Sequence, residues 1–229
     1  MNLLLTCEHA GNEIPEQYSE YFEGADEVLE SHRGYDPGAL DLFNRLSGLA
    51  IFCQPYMISR LLVEPNRSLN HPQLFSELTS PMEESEKEDI LNDFYLPYRN
   101  FIEGKLENYI SEGKEILHIS VHTFTPVLNG EVRDADIGLL FDPSRDLEAK
   151  FCESFRNKFL EQDRNLKVRF NYPYLGIDDG FTTSLRKIFP EGYLGIELEV
   201  NQKFVSDNKM EKRLKNDIFE ALSKAVNHL

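Results

Sequence analysis

The sequence predicts a single α/β domain over residues 1–229, in which a mostly parallel or mixed central sheet is flanked by helices. Short apolar or β-branched runs alternate with helical patterns along the chain, which is typical of strands joined by crossover helices. The length of 229 residues suits one large domain better than two. The sequence also contains no internal repeat, low-complexity segment or obvious linker.

Six strands and four helices are expected. The strands are expected at 3–6, 58–63, 116–121, 137–141, 168–171 and 193–200, and the helices at 37–46, 87–110, 147–161 and 209–228. Asp36 and Pro37 predict an N-cap followed by proline at the first position of the first helix. The acidic run 82–89 is expected to open the second helix, because acidic side chains favour the positive end of the helix dipole.

Composition and charge exclude several classes of function. The formal net charge is −16, whereas nucleic-acid binding depends on clustered Lys and Arg. No apolar stretch approaches the roughly 18 residues of a membrane span, and the start of the chain lacks a secretory signal pattern. Cys7, Cys53 and Cys152 fit neither a disulfide framework nor a CxxC metal site. We therefore expect a cytoplasmic protein with reduced thiols and neither a nucleic-acid nor a membrane partner.

Histidines follow two of the predicted strands. In α/β sheets of this kind, ligands bind beyond the carboxyl ends of the strands. His9 follows the first strand and precedes small residues, a position that indicates either a tight turn capped by histidine or a side chain facing a cleft. His122 falls at the end of the 116–121 strand, while His118 lies within it. We favour His122 as a metal ligand and assign His118 to the core or to the support of a ligand.

The last predicted strand carries two acidic residues, Glu197 and Glu199. Residues two apart on a strand share a face, so both carboxylates are expected on one side of the sheet. Burying two carboxylates is costly unless they are paired or bind a metal, and strands of parallel sheets are usually apolar throughout. This exception indicates a functional site.

Basic groups needed by an anionic ligand occur in two segments. Arg60 and Arg67, with the amide of Asn66, can form a fork for a substrate carboxylate or a developing oxyanion; the alternative is surface arginines in solvated pairs. The segment 176–186 is expected to turn into a short helix that either closes over a ligand, with Asp179 and Arg186 facing it, or forms a surface loop.

Taken together, seven segments in order resemble the N-formylglutamate amidohydrolase family. They are EHAGNEIP, HRGYDPGA, SRLLVEPNRS, SVHTFTP, DIGLLFDPSRD, GIDDGFTTSLR and LGIELEVNQ, and they span most of the chain. The resemblance implies an enzyme that releases formate from N-formyl-L-glutamate. It also implies a fold related to the zinc-dependent exopeptidases, including the metallocarboxypeptidases.

The wider relationship implies a role for each matching residue. His9 and His122 resemble zinc histidines, Glu199 resembles the carboxylate that activates water, and the pair Asn66-Arg67 resembles one that holds a substrate carboxylate. The peptidases place a glutamate three residues after the first histidine, where this chain has Asn12. Asp36 is the preferred substitute as ligand, with Glu8 and Glu13 left open.

These assignments predict one divalent metal, Zn²⁺, on two histidines and one carboxylate. Glu199 is expected to be the general base and Arg60 to stabilise the oxyanion. The expected partner is a small anionic N-acyl amino acid. The alternatives are a deacylase or small-peptide hydrolase with another acyl preference, and a non-catalytic carboxylate-binding protein. A serine hydrolase is disfavoured because no GxSxG motif follows a strand. The sequence leaves the oligomeric state undetermined.

Overall fold

A computed structural model describes residues 1–227. Its central sheet has six strands, in the order β2-β1-β3-β8-β6-β7. The strands of this sheet are β1 (Asn2–Cys7), β2 (Phe52–Pro55), β3 (Ile116–Phe124), β6 (Ile137–Leu140), β7 (Val168–Phe170) and β8 (Tyr193–Asn201). Two small hairpins complete the strands: β4 (Val127–Leu128) with β5 (Glu131–Val132), and β9 (Val205–Ser206) with β10 (Lys209–Met210).

The sheet is mixed. Strands β2, β1, β3 and β8 run parallel to one another, whereas β6 runs antiparallel to β8 and pairs in parallel with β7. The carboxyl ends of β1, β3 and β8 therefore meet at one edge of the sheet. The expectation of an α/β domain with a mostly parallel or mixed sheet is confirmed.

Helices cover both faces of this sheet. They are α1 (Asp26–Leu29), α2 (Ala39–Leu46), α3 (Glu84–Ile90), α4 (Leu96–Ser111), α5 (Asp146–Gln162), α6 (Phe181–Ile188) and α7 (Lys212–Val226). A π-helical turn at Leu91–Tyr95 joins α3 to α4, and short 3₁₀ turns occur at Glu16–Phe22, Ser47–Leu49 and Gln202–Phe204. Helices α2, α5 and α7 pack on one face of the sheet, and α4 and α6 pack on the other. None of the helices described is long and apolar enough to span a membrane.

The central strands β3 and β8 have one apolar and one polar face. Ile119 and Val121 of β3 pack into the core cluster of α2, α5 and α7 together with Ile196 and Leu198 of β8. The alternate residues of both strands point to the opposite face, and near the carboxyl ends these are polar. Buried polar groups therefore concentrate at one edge of the sheet.

The expected strand at 58–63 is wrong. The partner of β1 is instead β2, which ends at Pro55, and Ile58 contributes only an isolated bridge to Glu13. The apolar residues that suggested a strand, Leu61 to Val63, are instead buried in a separate cluster with Phe22 of the first 3₁₀ turn and Ile90 of α3. A short buried apolar run does not by itself distinguish a strand from a packed loop.

Two helix starts also differ from expectation. The helix α2 begins at Ala39, after Gly38 in a left-handed conformation with φ of 81°, so Asp36 does not act as its N-cap. Lys209 and Met210 pair with β9, and α7 starts only at Lys212. His228, the expected end of that helix, lies outside the described residues.

Candidate active site

Three buried side chains converge at the carboxyl edge of the sheet. His9 follows β1, Asp36 precedes α2, and His122 lies near the end of β3. Oδ2 of Asp36 is 3.3 Å from Nδ1 of His9 and 2.9 Å from Nδ1 of His122. One ligand atom from each residue lies within 4.8 Å of the other two. The structure thus brings together the three residues for which metal ligation was expected.

The side chain of Asp36 contacts the two histidines and does not cap α2. Its Oδ2 also accepts a hydrogen bond from the backbone N–H of Thr123, at 3.3 Å. Burial alone would raise the pKa of Asp36, but the charges of His9 and His122 and their hydrogen bonds lower it well below its usual range. Asp36 is therefore an ionised oxygen donor between two imidazoles.

Glu199 lies next to this group. It is directly opposite His122 in the ladder between β3 and β8, so the two side chains share a face. Its Oε2 is buried and has no hydrogen-bond partner within residues 1–227. Burial, together with the charges of Asp36 and Glu197, raises the pKa of Glu199 to about 7 in spite of the nearby His122. A buried carboxyl with this pKa can take up and release a proton near neutral pH.

The neighbouring strand leaves room for Glu199. Gly138 of β6 is opposite Glu199 in the antiparallel ladder. A Cβ at position 138 would lie 2.0 Å from the carbonyl oxygen of Tyr172 and 3.2 Å from Cβ of Glu199. Only glycine permits this close approach of the Tyr172 backbone to β6, beside the strand position that Glu199 occupies.

Glu197 has a different environment. It also lines the cavity, but Oγ1 of Thr182 donates a hydrogen bond to its Oε1 at 2.7 Å. Its carboxylate is therefore partly held by α6, in contrast to Glu199. The prediction that the two carboxylates share a face agrees with the register, since Ser120 and His122 are their respective partners.

The group of side chains suits a divalent cation. Four buried carboxylates, those of Glu8, Asp36, Glu64 and Glu199, lie around the two histidines. Among the residues described, one arginine forms salt bridges with these carboxylates: Arg60 contacts Asp36 and Glu64. Unpaired buried charge is costly, and the orphaned Oε2 of Glu199 adds to the surplus of acceptors. Two imidazole nitrogens and one carboxylate oxygen this close together could hold a divalent metal ion.

The two carboxylates left open as alternative metal ligands do not join the group. Glu13 is exposed, and Glu8 contacts other side chains. Glu8 lies beneath His122, 3.2 Å from its Nε2, and accepts hydrogen bonds from Ser120 and Tyr98.

His118 lies deeper in β3, hydrogen-bonded to Thr6 at 2.7 Å and to Tyr193 at 2.8 Å. His118 is thus a core residue in the described structure.

Several basic groups line the cavity. Arg60 contacts Glu64 through Nε at 2.7 Å and Nη2 at 2.5 Å, and its Nη1 is 3.5 Å from Asp36.

Two further arginines of the cavity contact no carboxylate in the described chain. Arg67 donates to the backbone carbonyls of Asn66 and Asp179. Arg133 donates a hydrogen bond to the hydroxyl of Tyr174 at 3.0 Å. Neither Arg67 nor Arg133 forms a salt bridge within the described chain.

Asn66 and Asp179 shape the same wall. Oδ1 of Asn66 accepts a hydrogen bond from the backbone of Phe181, the first residue of α6, at 2.7 Å. The Nδ2 group of Asn66 remains available to a ligand, since no hydrogen bond to it occurs in the part of the chain described. The carboxylate of Asp179 accepts from the backbone of Ser68 at 2.9 Å and so fixes the segment that carries Arg67.

Arg186 is engaged away from the cavity. It is buried, its Nε is 3.0 Å from Glu148, and its other nitrogens donate to the carbonyls of Gly176 and Gly195, each at 2.6 Å. These contacts tie α5 and α6 to β8 and leave no outward-facing charge for a substrate. The structure therefore does not bring Arg186 together with the other predicted site residues.

Five further residues lie at or beside the site without having been predicted from the sequence: Glu64, Arg133, His32, Tyr174 and Gln202. A local signal existed for Glu64, because it stands four residues after Arg60 and forms an ion pair with it. The others lie in loops or, for Gln202, at the start of a 3₁₀ turn, and no periodic pattern in the sequence predicts them.

Comparison with known proteins identifies the family. The model of the N-formylglutamate amidohydrolase family matches residues 1–206. A gene product of Agrobacterium tumefaciens superposes on 99% of this chain and 91% of its own, with a TM-score of 0.84 and 26% identity. An N-formylglutamate amidohydrolase from Ralstonia eutropha JMP134 superposes with a TM-score of 0.71 and 16% identity, over 99% of this chain and 93% of its own, and shares the fold.

Two further comparisons add little. A metallo-carboxypeptidase from Burkholderia cenocepacia covers 99% of this chain with 57% of its own, at 12% identity and a TM-score of 0.40, too low to bear on the site. A search of curated proteins gives no significant match. The family model, in contrast, spans most of the sequence and makes the protein an amide-bond hydrolase. The chain belongs to the N-formylglutamate amidohydrolase family.

Proposed function

We propose that the protein hydrolyses N-formyl-L-glutamate to formate and glutamate, with one Zn²⁺ held by His9, Asp36 and His122. One observation carries the proposal. Three buried ligand atoms converge within 4.8 Å of one another, beside Glu199, whose buried Oε2 has no partner in the described structure. The family supports the substrate, and the donor set supports the metal.

In this mechanism the metal would activate the carbonyl and the water, and the side chains of the protein would transfer the proton. A zinc ion on this donor set supplies a Lewis acid that polarises the amide carbonyl and lowers the pKa of water. Glu199 takes the proton from the attacking water and passes it to the leaving amine. Its burial keeps bulk water from competing for that proton, and its pKa of about 7 suits transfer in both directions.

The arginines bind and stabilise negative charge. We assign Arg60, which borders Asp36, to the oxyanion that develops on the carbonyl. Nδ2 of Asn66 and the guanidinium of Arg67 bind one carboxylate of the substrate, and Arg133 binds the other. Arg67 and Arg133 suit this role because they line the cavity without a carboxylate partner in residues 1–227. In a chain with a net charge of −16, these local cations are needed to attract a dianion.

The test is release of the free amino acid from a panel of N-acyl amino acids, with formate release from the N-formyl substrates and metal content measured on the same samples. We expect turnover of N-formyl-L-glutamate, loss of turnover when a chelator removes the metal, and recovery on adding Zn²⁺. N-acetyl- and N-succinyl-L-glutamate should react far more slowly. Full activity in protein shown by elemental analysis to be metal-free would refute the metal-dependent mechanism. Faster turnover of another acyl group would reassign the substrate.

A further inference from the structure

Two buried glutamates contact the proposed metal histidines on the side away from Asp36. Glu64 contacts His9, and Glu8 contacts His122. Each glutamate is 6% exposed or less. We propose that Glu64 and Glu8 are positioning residues that hold both histidines with the proton on Nε2, so that each presents the lone pair of Nδ1 to the metal. This inference rests on the proposed function.

The contact of His9 fixes where its proton lies. Nε2 of His9 is 2.6 Å from Oε1 of Glu64. The same oxygen accepts the backbone N–H of Asn66 at 3.0 Å, and Oε2 accepts Nε of Arg60 at 2.7 Å. A carboxylate already accepting from a backbone amide and an arginine is ionised and has no proton to give. The hydrogen in the contact with His9 therefore belongs to the imidazole.

The contact of His122 runs partly through a serine. Oγ of Ser120 donates its hydrogen bond to Oε2 of Glu8 and lies 2.8 Å from Nε2 of His122. A hydroxyl has one proton, so an oxygen that donates to Glu8 can only accept from His122. Glu8 itself is 3.2 Å from the same nitrogen, and Tyr98 holds its other oxygen at 3.0 Å. Nε2 of His122 is thus a donor as well.

With both Nε2 atoms protonated, the neutral imidazoles have acceptors at Nδ1. Both Nδ1 atoms lie within 3.3 Å of the same carboxylate oxygen, Oδ2 of Asp36. Three lone pairs directed at one another repel unless a cation or added protons lie between them. The arrangement therefore specifies coordination through Nδ1 for both histidines, with the metal replacing those protons.

Each glutamate contacts a histidine that is distant from it in the sequence. Glu8 is adjacent to His9 in the chain, yet its carboxylate supports His122 of β3, while His9 is supported by Glu64 from a distant loop. Each support therefore reaches across to a different segment and fixes the distance between the two ligands as well as the orientation of each ring. Such carboxylate–histidine contacts typically strengthen metal binding by about 10- to 100-fold.

The direct test is NMR of the intact protein with isotopically labelled histidine and NMR-active cadmium in the site. We expect cadmium–nitrogen couplings at Nδ1 of His9 and His122, with Nε2 of both rings protonated. Coupling at Nε2 of either ring would overturn the assignment for that histidine. A wild-type protein that binds neither zinc nor cadmium would overturn the proposed metal site and this inference with it, whereas bound metal with Nε2 coupling overturns this inference alone.

Variants provide a second test through metal affinity. Glu8→Gln and Glu64→Gln keep the side-chain shape but remove the charge, and each should weaken zinc binding by about 10- to 100-fold in competition with a chelator. Tyr98→Phe is the matched control, because it removes a hydrogen bond from Glu8 without touching His122, and it should bind zinc nearly as tightly as wild type. Wild-type affinity in folded Glu8→Gln and Glu64→Gln proteins would overturn the proposal. If either variant fails to fold, the NMR measurement on wild type decides.

Discussion

His122 and Glu199 are direct partners across the parallel ladder of β3 and β8, so their side chains leave the sheet on the same face and at the same level. The pairing places the imidazole of a proposed metal ligand beside a carboxyl that has no hydrogen-bond partner for Oε2 among residues 1–227. Backbone pairing fixes the relative position of the two Cα atoms and the face from which both side chains leave the sheet.

Glu199→Gln should lower kcat by about 10²- to 10⁴-fold while the metal remains bound, because the variant keeps the shape of the side chain but cannot accept a proton. Steady-state kinetics and elemental analysis of the same preparation measure both effects. Glu197→Gln is the matched control, since Glu197 is held by Thr182 and is expected to affect stability or metal affinity more than turnover. A normal kcat for Glu199→Gln with a dead, metal-loaded Glu197→Gln would reverse the two assignments.

The same variant should stabilise the metal-free protein at alkaline pH. Burial raises the pKa of Glu199 from 4.5 to about 7, so the folded state binds this proton more tightly than the unfolded state. The resulting stability is present below pH 4.5 and is lost as the pH rises through 7, at a cost of about 3 kcal/mol. Urea denaturation in chelator should show the advantage of Glu199→Gln growing from pH 5 to pH 8. An advantage that does not change with pH would contradict the assigned burial cost.

His118 should produce the opposite pH dependence. Burial, aided by the charges of Arg186 and His122, lowers the pKa of His118 from 6.5 to about 4 although Glu8 opposes the shift. The unfolded state therefore binds this proton more tightly, so stability present above pH 6.5 is lost as the pH falls toward 4, by about 3 kcal/mol. His118→Gln is expected to be less stable at neutral pH but to lack this loss. Parallel unfolding curves for variant and wild type across pH 6.5 to 4 would exclude His118 as the source.

Arg67→Ala should discriminate between substrates. Loss of a charge-assisted hydrogen bond to a carboxylate is worth about 1.5–3 kcal/mol, or about 10- to 100-fold in affinity. N-formyl-L-glutamate should suffer this loss, while analogues in which the matching carboxylate is an amide should not. Arg133→Ala should show the same pattern for the other carboxylate. Arg213→Ala removes the same charge at an exposed surface ion pair with Asp163 and serves as the control. Equal losses for acid and amide substrates would assign Arg67 to the oxyanion or to structure.

His122→Ala should lose the metal and the activity together. The variant removes one of the three proposed ligands and also the imidazole whose Nε2 contacts Glu8. Elemental analysis of protein purified without chelator should show metal in wild type and its absence in the variant. Full metal content with full activity in His122→Ala would place the metal elsewhere.

The sequence predicted the parts of the site that follow from strand periodicity. The alternation along β8 placed Glu197 and Glu199 on one face, and the apolar run before His122 located the end of β3, because the period of a strand is two and needs no tertiary information. The gathering of His9 and His122 at one edge followed from the parallel direction of β1 and β3.

The remainder depends on contacts between distant segments. Glu64, which contacts His9, directly follows the run 58–63. The apolar residues of that run predict a strand, but in the structure they pack in a separate cluster and do not pair in the sheet. Arg186 was expected at the substrate because its charge is visible in sequence, whereas its buried partner Glu148 lies 38 residues earlier, in α5. A one-dimensional pattern does not reveal whether a charged side chain is turned toward a cavity or toward a buried counter-charge.

The position of β8 has a consequence for how the protein is made. In chain order β8 is the last strand of the six-stranded sheet, yet it lies between β3 and β6 in its middle. During synthesis, β2-β1-β3 and β6-β7 can each pair, but the two halves stay separate and expose unpaired edges until residues 193–201 emerge. The nascent chain is therefore most prone to aggregate in this interval. Substitutions that weaken the insertion of β8 should reduce the yield of folded protein more than the specific activity of the molecules that complete it.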